Sequence, residues 1–255
     1  MFKIGFAVVM LSGSLACAQH ATDIVLGVQG GVLVTGATRP EGGVEFEKRV
    51  FVSRLGEVAP NFSSDPGFDC LPGTFPAGTR NGFRIVDALR IWDGSGLETV
   101  APARMNISFV TLNVDTPLVP GVVEGFTLAV GSNGQWHRHL DFVLEESAAD
   151  GFYVLTLQLF STAAAIVPSS NVYIIFNQNM PRSGEEAVVN YITSLIESPP
   201  CPADFNQDGG VDGGDVESFF TAWADAQTAA DVNVDGGVDG SDVETFFLVW
   251  AAGGC

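Results

Sequence analysis

Positive charge is scarce in this chain of 255 residues: 11 Lys and Arg stand against 30 Asp and Glu, a formal charge of −19. A polyanion repels phosphate backbones, so nucleic acid is excluded as a partner class. Long apolar runs are also missing. The apolar stretch Ile4 to Leu11, like every later one, is well short of the roughly 20 residues that a membrane-spanning helix needs. No Gly-x-Ser-x-Gly elbow, His-Glu-x-x-His helix or phosphate loop occurs, which removes the commonest catalytic signatures. Histidine is limited to three residues, His20, His137 and His139, and cysteine to four.

The first 18 residues have the layout of a secretory signal: Lys3, the apolar stretch, then Ala16-Cys17-Ala18 as a small-x-small cleavage site. A lipoprotein signal built on Cys17 is the alternative, but Ser14 stands where such signals carry Leu. Ordinary cleavage leaves Gln19 as the new N-terminus and predicts a secreted or cell-surface protein. Cys70, Cys201 and Cys255 then remain, an odd number that predicts one pair and one leftover thiol in an oxidising compartment.

The acidic excess is concentrated at the far end. Residues 201–255 hold 11 acidic residues and no Lys or Arg. They also contain one pattern written twice: Asp204, Asn206, Asp208, Gly209, Asp212 and Asp215 recur 27 positions later as Asp231, Asn233, Asp235, Gly236, Asp239 and Asp242. Each copy is spaced as a twelve-position calcium loop, with oxygen-bearing side chains at positions 1, 3, 5, 9 and 12 and glycine at 6. Position 7 gives only its backbone carbonyl, so Gly210 and Gly237 suffice there. The expected ligands of two calcium ions are Asp204, Asn206, Asp208, Gly210, Asp212 and Asp215, and Asp231, Asn233, Asp235, Gly237, Asp239 and Asp242.

Position 12 is Asp, whose shorter reach than Glu demands a tighter loop. Prolines precede the first loop, and a short Ala-rich stretch precedes the second, so each loop has only an exiting helix. Those helices are marked by Val216, Phe219, Phe220 and Trp223, and by Val243, Phe246, Phe247 and Trp250, at i, i+3, i+4 and i+7. Eight carboxylates crowd into the two loops, so calcium is expected to be part of the fold. Cys201 and Cys255 bracket the repeat, and pairing them staples its ends.

This duplicated loop resembles a type I dockerin, and Cys201 together with the terminal Gly254-Cys255 resembles the GC-type variant found on secreted proteins of planctomycete-like bacteria. The resemblance covers residues 201–255. It implies a module that plugs a secreted protein into a cohesin or a similar cell-surface partner. Positions 10 and 11, where better-known dockerins carry a Ser/Thr pair that reads the cohesin, are Gly213-Gly214 and Gly240-Ser241 here.

Residues 19–198 read as a β-sandwich domain, joined to the repeat by the stiff linker Pro199-Pro200. Eight runs rich in β-branched and aromatic residues are punctuated by Gly, Pro, Asn and Asp. They are Asp23 to Val34, Val44 to Ser53, Phe83 to Trp92, Met105 to Val114, Val122 to Val130, Gln135 to Leu144, Phe152 to Phe160 and Val172 to Asn177. One helix, Glu185 to Glu197, closes the domain, with Ser183 as its expected N-cap. Asn61 to Asn81 is a long Phe-, Ser-, Pro- and Gly-rich loop, either functional or a rigid cover.

Within Gln135 to Leu144, a strand places His137, His139 and Asp141 on one face, where imidazoles and a carboxylate share a transition metal. His20 is the remaining imidazole, so His20, His137 and His139 form the expected zinc or copper site, with Arg138 pointing away. This stretch, with Tyr153 to Ser161 and Phe176-Asn177-Gln178-Asn179, faintly resembles a secreted bacterial family repressed by the zinc-uptake regulator, which implies a zinc-linked role. Trp92 and Trp136 offer stacking surfaces for a glycan, and Asp87, Asp93, Glu124 and Asp141 are the carboxylates a glycosidase would draw on. The expected function is therefore a calcium-binding, dockerin-anchored protein whose β domain binds metal or glycan. The alternative is an extracellular hydrolase or metalloenzyme acting on polysaccharide.

Overall fold

The computed structural model describes residues 23–197, 201–206, 210–233 and 235–252. The expected signal sequence, His20, the Pro199-Pro200 linker, Asp208 and Cys255 therefore lie outside the described residues. The chain divides into two compact units, Met1–Val189 and Asn190–Cys255, the first mostly β and the second helical.

Fourteen strands form three sheets among the described residues. The first sheet has the order β3 (Val44–Phe46), β2 (Val32–Thr38), β1 (Ile24–Gln29), β6 (Phe68–Asp69). Gly30 and Gly31 join β1 to β2 at φ +57° and +84°, a two-residue turn that non-glycine residues rarely adopt. The second has the order β10 (Leu112–Asp115), β9 (Met105–Phe109), β12 (Asp141–Leu144), β5 (Phe62–Ser63). The third has the order β11 (Val123–Ala129), β7 (Arg80–Ile85), β13 (Gly151–Ser161), β14 (Val172–Gln178), β4 (Val50–Arg54), with β8 (Arg90–Ile91) also on β13.

Strand β13 is the centre of the third sheet, and it explains a difference from its sequence pattern. Leu155 to Leu159 alternates apolar and polar residues, the pattern of a strand with one wet face. Yet Val154 and Thr156 are buried along with Tyr153, Leu155 and Leu157. Both faces are covered, and the Thr hydroxyl is tolerated near the strand's middle. The shared core runs through Ile24, Leu26, Phe68, Phe83, Ile85, Met105, Phe142, Leu155 and Phe176, each such side chain contributing about 1.5–3 kcal/mol by leaving water.

Helix α1 spans Glu185–Glu197, the range its spacing predicts. Its lead-in differs from expectation: a 3-10 turn at Arg182–Gly184 runs into it, so Ser183 lies inside that turn and is not the cap. The start of α1 is held by Glu185, which accepts from Arg54 Nε at 2.9 Å and Nη2 at 2.8 Å and from Asn177 Nδ2 at 2.8 Å. The division between the units falls within this helix.

In the second unit α2 (Gly213–Ala224) and α3 (Gly240–Ala251) exit the two loops. Both begin at a reciprocal capping box, Asp212 with Asp215 and Asp239 with Asp242, so loop positions 9 and 12 also satisfy the helix N-terminus. The predicted stripes meet at Phe219 and Phe246, both fully buried and stacked with centroids 4.2 Å apart and 1° between planes. No helix among the described residues is long and apolar enough to cross a membrane.

Candidate metal centres

Local pairing builds a site in the first unit from three stretches that are distant in sequence. Strand β6 lies between β1, which pairs with it in parallel (Ile24↔Phe68, Val25↔Asp69), and Arg138, which bridges Phe68 in antiparallel fashion. The bridge is made twice, Phe68 N–H to Arg138 O and Arg138 N–H to Phe68 O, each at 2.8 Å. That register places His139 across from Gly67 and His137 across from Asp69, and side chains flanking a bridge share its opposite face. Asp23, one residue before β1, falls next to Gly67, and Gly67 N–H donates to Asp23 Oδ1 at 3.2 Å.

The result is a group of three, Asp23, His137 and His139, whose ligand atoms all lie within 4.8 Å of one another. The His139 Nε2 to Asp23 Oδ2 distance is 3.8 Å, and the two imidazole centroids are 5.2 Å apart. Asp23 is buried, whereas the His137 and His139 side chains are 38% and 27% exposed, so the group is reachable from solvent. His139 Nδ1 lies 2.9 Å from Ser64 O. A carbonyl only accepts, so this nitrogen carries the proton, and Nε2 of the neutral ring keeps a lone pair for a metal.

Gly67 leaves room for two side chains that a larger residue would have to displace. A Cβ added there would meet His139 Cε1 at 2.5 Å, His139 Nε2 at 2.7 Å and Asp23 Oδ1 at 2.8 Å. The gap that glycine leaves is the one between the candidate ligands.

Two expectations are corrected here. Gln135 to Leu140 is an extended connector with the single bridge at Arg138, and only Asp141–Leu144 is strand. Asp141 is not in the group of three, and its place is taken by Asp23. His20 lies outside the described residues. Arg138 does turn away: its guanidinium donates to Ala129 O at 2.8 Å and to His137 O at 2.6 Å. Sequence reasoning missed Asp23 and Asp69. The available signal was a carboxylate set among residues that bury, Asp23 before Ile24-Val25-Leu26 and Asp69 between Phe68 and Cys70, since an Asp inside is rarely left without a role.

In the second unit the loop side chains engage the loop backbone. Asp215 Oδ1 accepts from Asn206 N–H at 3.1 Å and Oδ2 from Asp212 N–H at 2.8 Å; Asp242 repeats this with Asn233 at 3.3 Å and Asp239 at 2.8 Å. The N–H of Asp212, then that of Asn206, holds the Asp215 carboxyl below its usual pKa, and the Ser241 hydroxyl and N–H do the same for Asp239. In the second loop Asp231, Asn233 and Asp235 accept from Asp235, Gly236 and Gly237 N–H groups at 2.9–3.1 Å, with Gly236 at φ +91°. Each ionised carboxylate still has acceptor capacity beyond these bonds. Among the described residues, however, the loop carboxylates do not gather three within 4.8 Å as the Asp23 group does. The repeats are also cross-tied: Trp223 Nε1 donates to Asp239 O at 2.8 Å, and Trp250 Nε1 to Asp212 O at 3.1 Å.

Other candidates fare differently. Trp136 is 2% exposed, its indole N–H donating to Leu128 O, so it offers no surface to a sugar. Asp87 is paired with Arg90 and Glu124 with Arg84, each at 2.7 Å, and Asp93 accepts from Ser95 and Gly96. These three carboxylates have structural partners. Cys70 is a buried thiol that makes no disulfide, with Trp136 N–H donating to its Sγ at 3.1 Å. No protein-family model matches the chain, and no curated protein matches it at a significant level.

Proposed function

We propose that this is a secreted protein whose β unit binds one divalent transition metal and whose C-terminal unit is a dockerin-like, calcium-stabilised anchor for a cohesin-like surface partner. The observation that carries the metal assignment is the convergence of Asp23, His137 and His139 within 4.8 Å. Two imidazoles and a carboxylate suit zinc or copper(II), whereas calcium takes oxygen ligands only. His20, expected next to the mature N-terminus, is the candidate fourth ligand. The β unit is in this reading a sandwich carrying the site at one edge, where Asn61 to Asn81 supplies Gly67.

The anchor reading rests on the duplicated loops, their capping boxes and the pseudo-symmetric aromatic core. An open apolar groove on α3, lined by Val243, Phe247, Leu248 and Ala251, gives a partner a surface to cover. Cys201 pairs with Cys255 in this reading, because Cys70 is engaged as a buried thiol.

The partial exposure of both imidazoles favours one further reading, a metalloenzyme acting on polysaccharide, because three protein ligands reachable by solvent leave a position open for water or substrate. Zinc and copper(II) titrations of the full-length protein, with calcium saturating, test the metal assignment. One tight site beyond the calcium sites is expected. Absence of uptake at micromolar metal overturns it.

A further inference from the structure

Asp69 has no part in the group of three, yet it is fully buried beside it. Its Oδ1 accepts from Cys70 N–H at 2.8 Å and Gln135 Nε2 at 3.4 Å, and lies 3.3 Å from His137 Nδ1. Its Oδ2 is buried and accepts no hydrogen bond. A carboxylate removed from water is costly unless it is compensated. That charge is met at Oδ1 alone, where the Cys70 and Gln135 donors and, by β-register, the His137 ring stand.

We infer that Asp69 is a positioning residue for the metal proposed above: it holds His137 by Nδ1 so that Nε2 is the nitrogen presented to the ion. The inference rests on the metal reading of the same site. Both imidazoles are then held alike, His139 through Nδ1 on Ser64 O and His137 through Nδ1 on Asp69 Oδ1. Asp65 Oδ1 also stands 3.5 Å from His139 Nδ1, but its side chain is 53% exposed, whereas that of Asp69 is fully buried. A buried carboxylate fixes a histidine's tautomer and orientation more firmly than one screened by solvent, so His137 is the more firmly held of the two. With Asp23 as ligand and Asp69 behind His137, two negative charges face the ion, which matches a divalent cation and disfavours copper(I).

The test compares the full-length protein with Asp69→Asn, which preserves volume and keeps an acceptor while removing the charge. Zinc affinity by competition with a chromophoric chelator should fall about 10–100-fold, with calcium binding unchanged. The visible spectrum of the cobalt(II) form should shift, which a purely structural role would not produce. A variant that fails to fold leaves a second measurement on the unmodified chain: long-range 15N–1H correlation of the zinc-loaded protein should show both histidines protonated at Nδ1 and bound through Nε2. Binding of His137 through Nδ1, or an Asp69→Asn affinity within about twofold of the parent, overturns the role of Asp69 while leaving the metal site standing. If the parent chain takes up no zinc, the site itself falls.

Discussion

The two units arrange their candidate ligands in opposite ways. In the β unit, three candidate ligand side chains from distant stretches stand within 4.8 Å of each other. In the C-terminal unit, the candidate ligands are neighbours in sequence, and among the described residues their carboxylates form no such group of three, several of them bonding to loop N–H groups instead. The difference follows from charge. Gathering two neutral imidazoles and one carboxylate costs little, whereas gathering four carboxylates sets like charges a few ångströms apart, worth about 4 kcal/mol per pair at 4 Å in a medium of effective dielectric near 20. In the reading proposed above, the first site is one the fold alone can assemble, whereas the second would need its cation to draw it together.

The largest effect that would break this comparison is loss of the β site. Replacing His137 and His139 together by Ala should abolish zinc binding in calorimetric titration and leave calcium binding untouched. Next, calcium removal should release the C-terminal unit alone. Hydrogen exchange of the full chain should show α2 and α3 losing protection in chelator while β13 and β14 stay protected, and equal protection with and without calcium would refute the coupling. Asp215→Ala and Asp242→Ala should each delete one calcium site together with the capping box of the helix that follows, a helix-cap loss of about 1 kcal/mol even before metal is counted.

The same contrast governs what can be read from the residues alone. Both exiting helices, the bounds of α1 and the sharp turn at Gly236 are legible because their signals are local: apolar periodicity and a glycine where the chain turns. The β site is half legible. His137 and His139 stand out as the paired imidazoles of a histidine-poor chain, but Asp23 and Asp69 reach them only through β6, a strand of two residues inside what reads as a loop. A parallel pairing that short leaves no periodic trace. Asp141, which does share the strand-like spacing, is carried off by the start of β12.

Gly67→Ala sharpens the β side further. The added Cβ occupies the space between His139 and Asp23, so zinc affinity should fall at least about tenfold, while the metal-free protein loses only the 1–3 kcal/mol typical of overpacking. A thermal melt with and without zinc separates the two effects. The smallest expected effect is on pH. The folded-state pKa values of Asp215 and Asp239 are lowered, so the stability they lend is complete above the ordinary value of 3.8 and is lost as pH falls through the lower folded values. Helicity of the C-terminal unit should therefore hold down to pH 3.8 and decline below it. A decline centred well above 3.8 would show that other groups control the acid transition.

The crossed indoles give the second unit its own optical signal. Trp223 is bonded to the carbonyl of Asp239 and Trp250 to that of Asp212, so the chromophore of each repeat rests on the loop of the other. A cation entering one loop alters the electric field at the tryptophan that belongs to its twin. Fluorescence from a chain carrying only Trp223 therefore reports occupancy of the second loop, and a chain carrying only Trp250 reports the first.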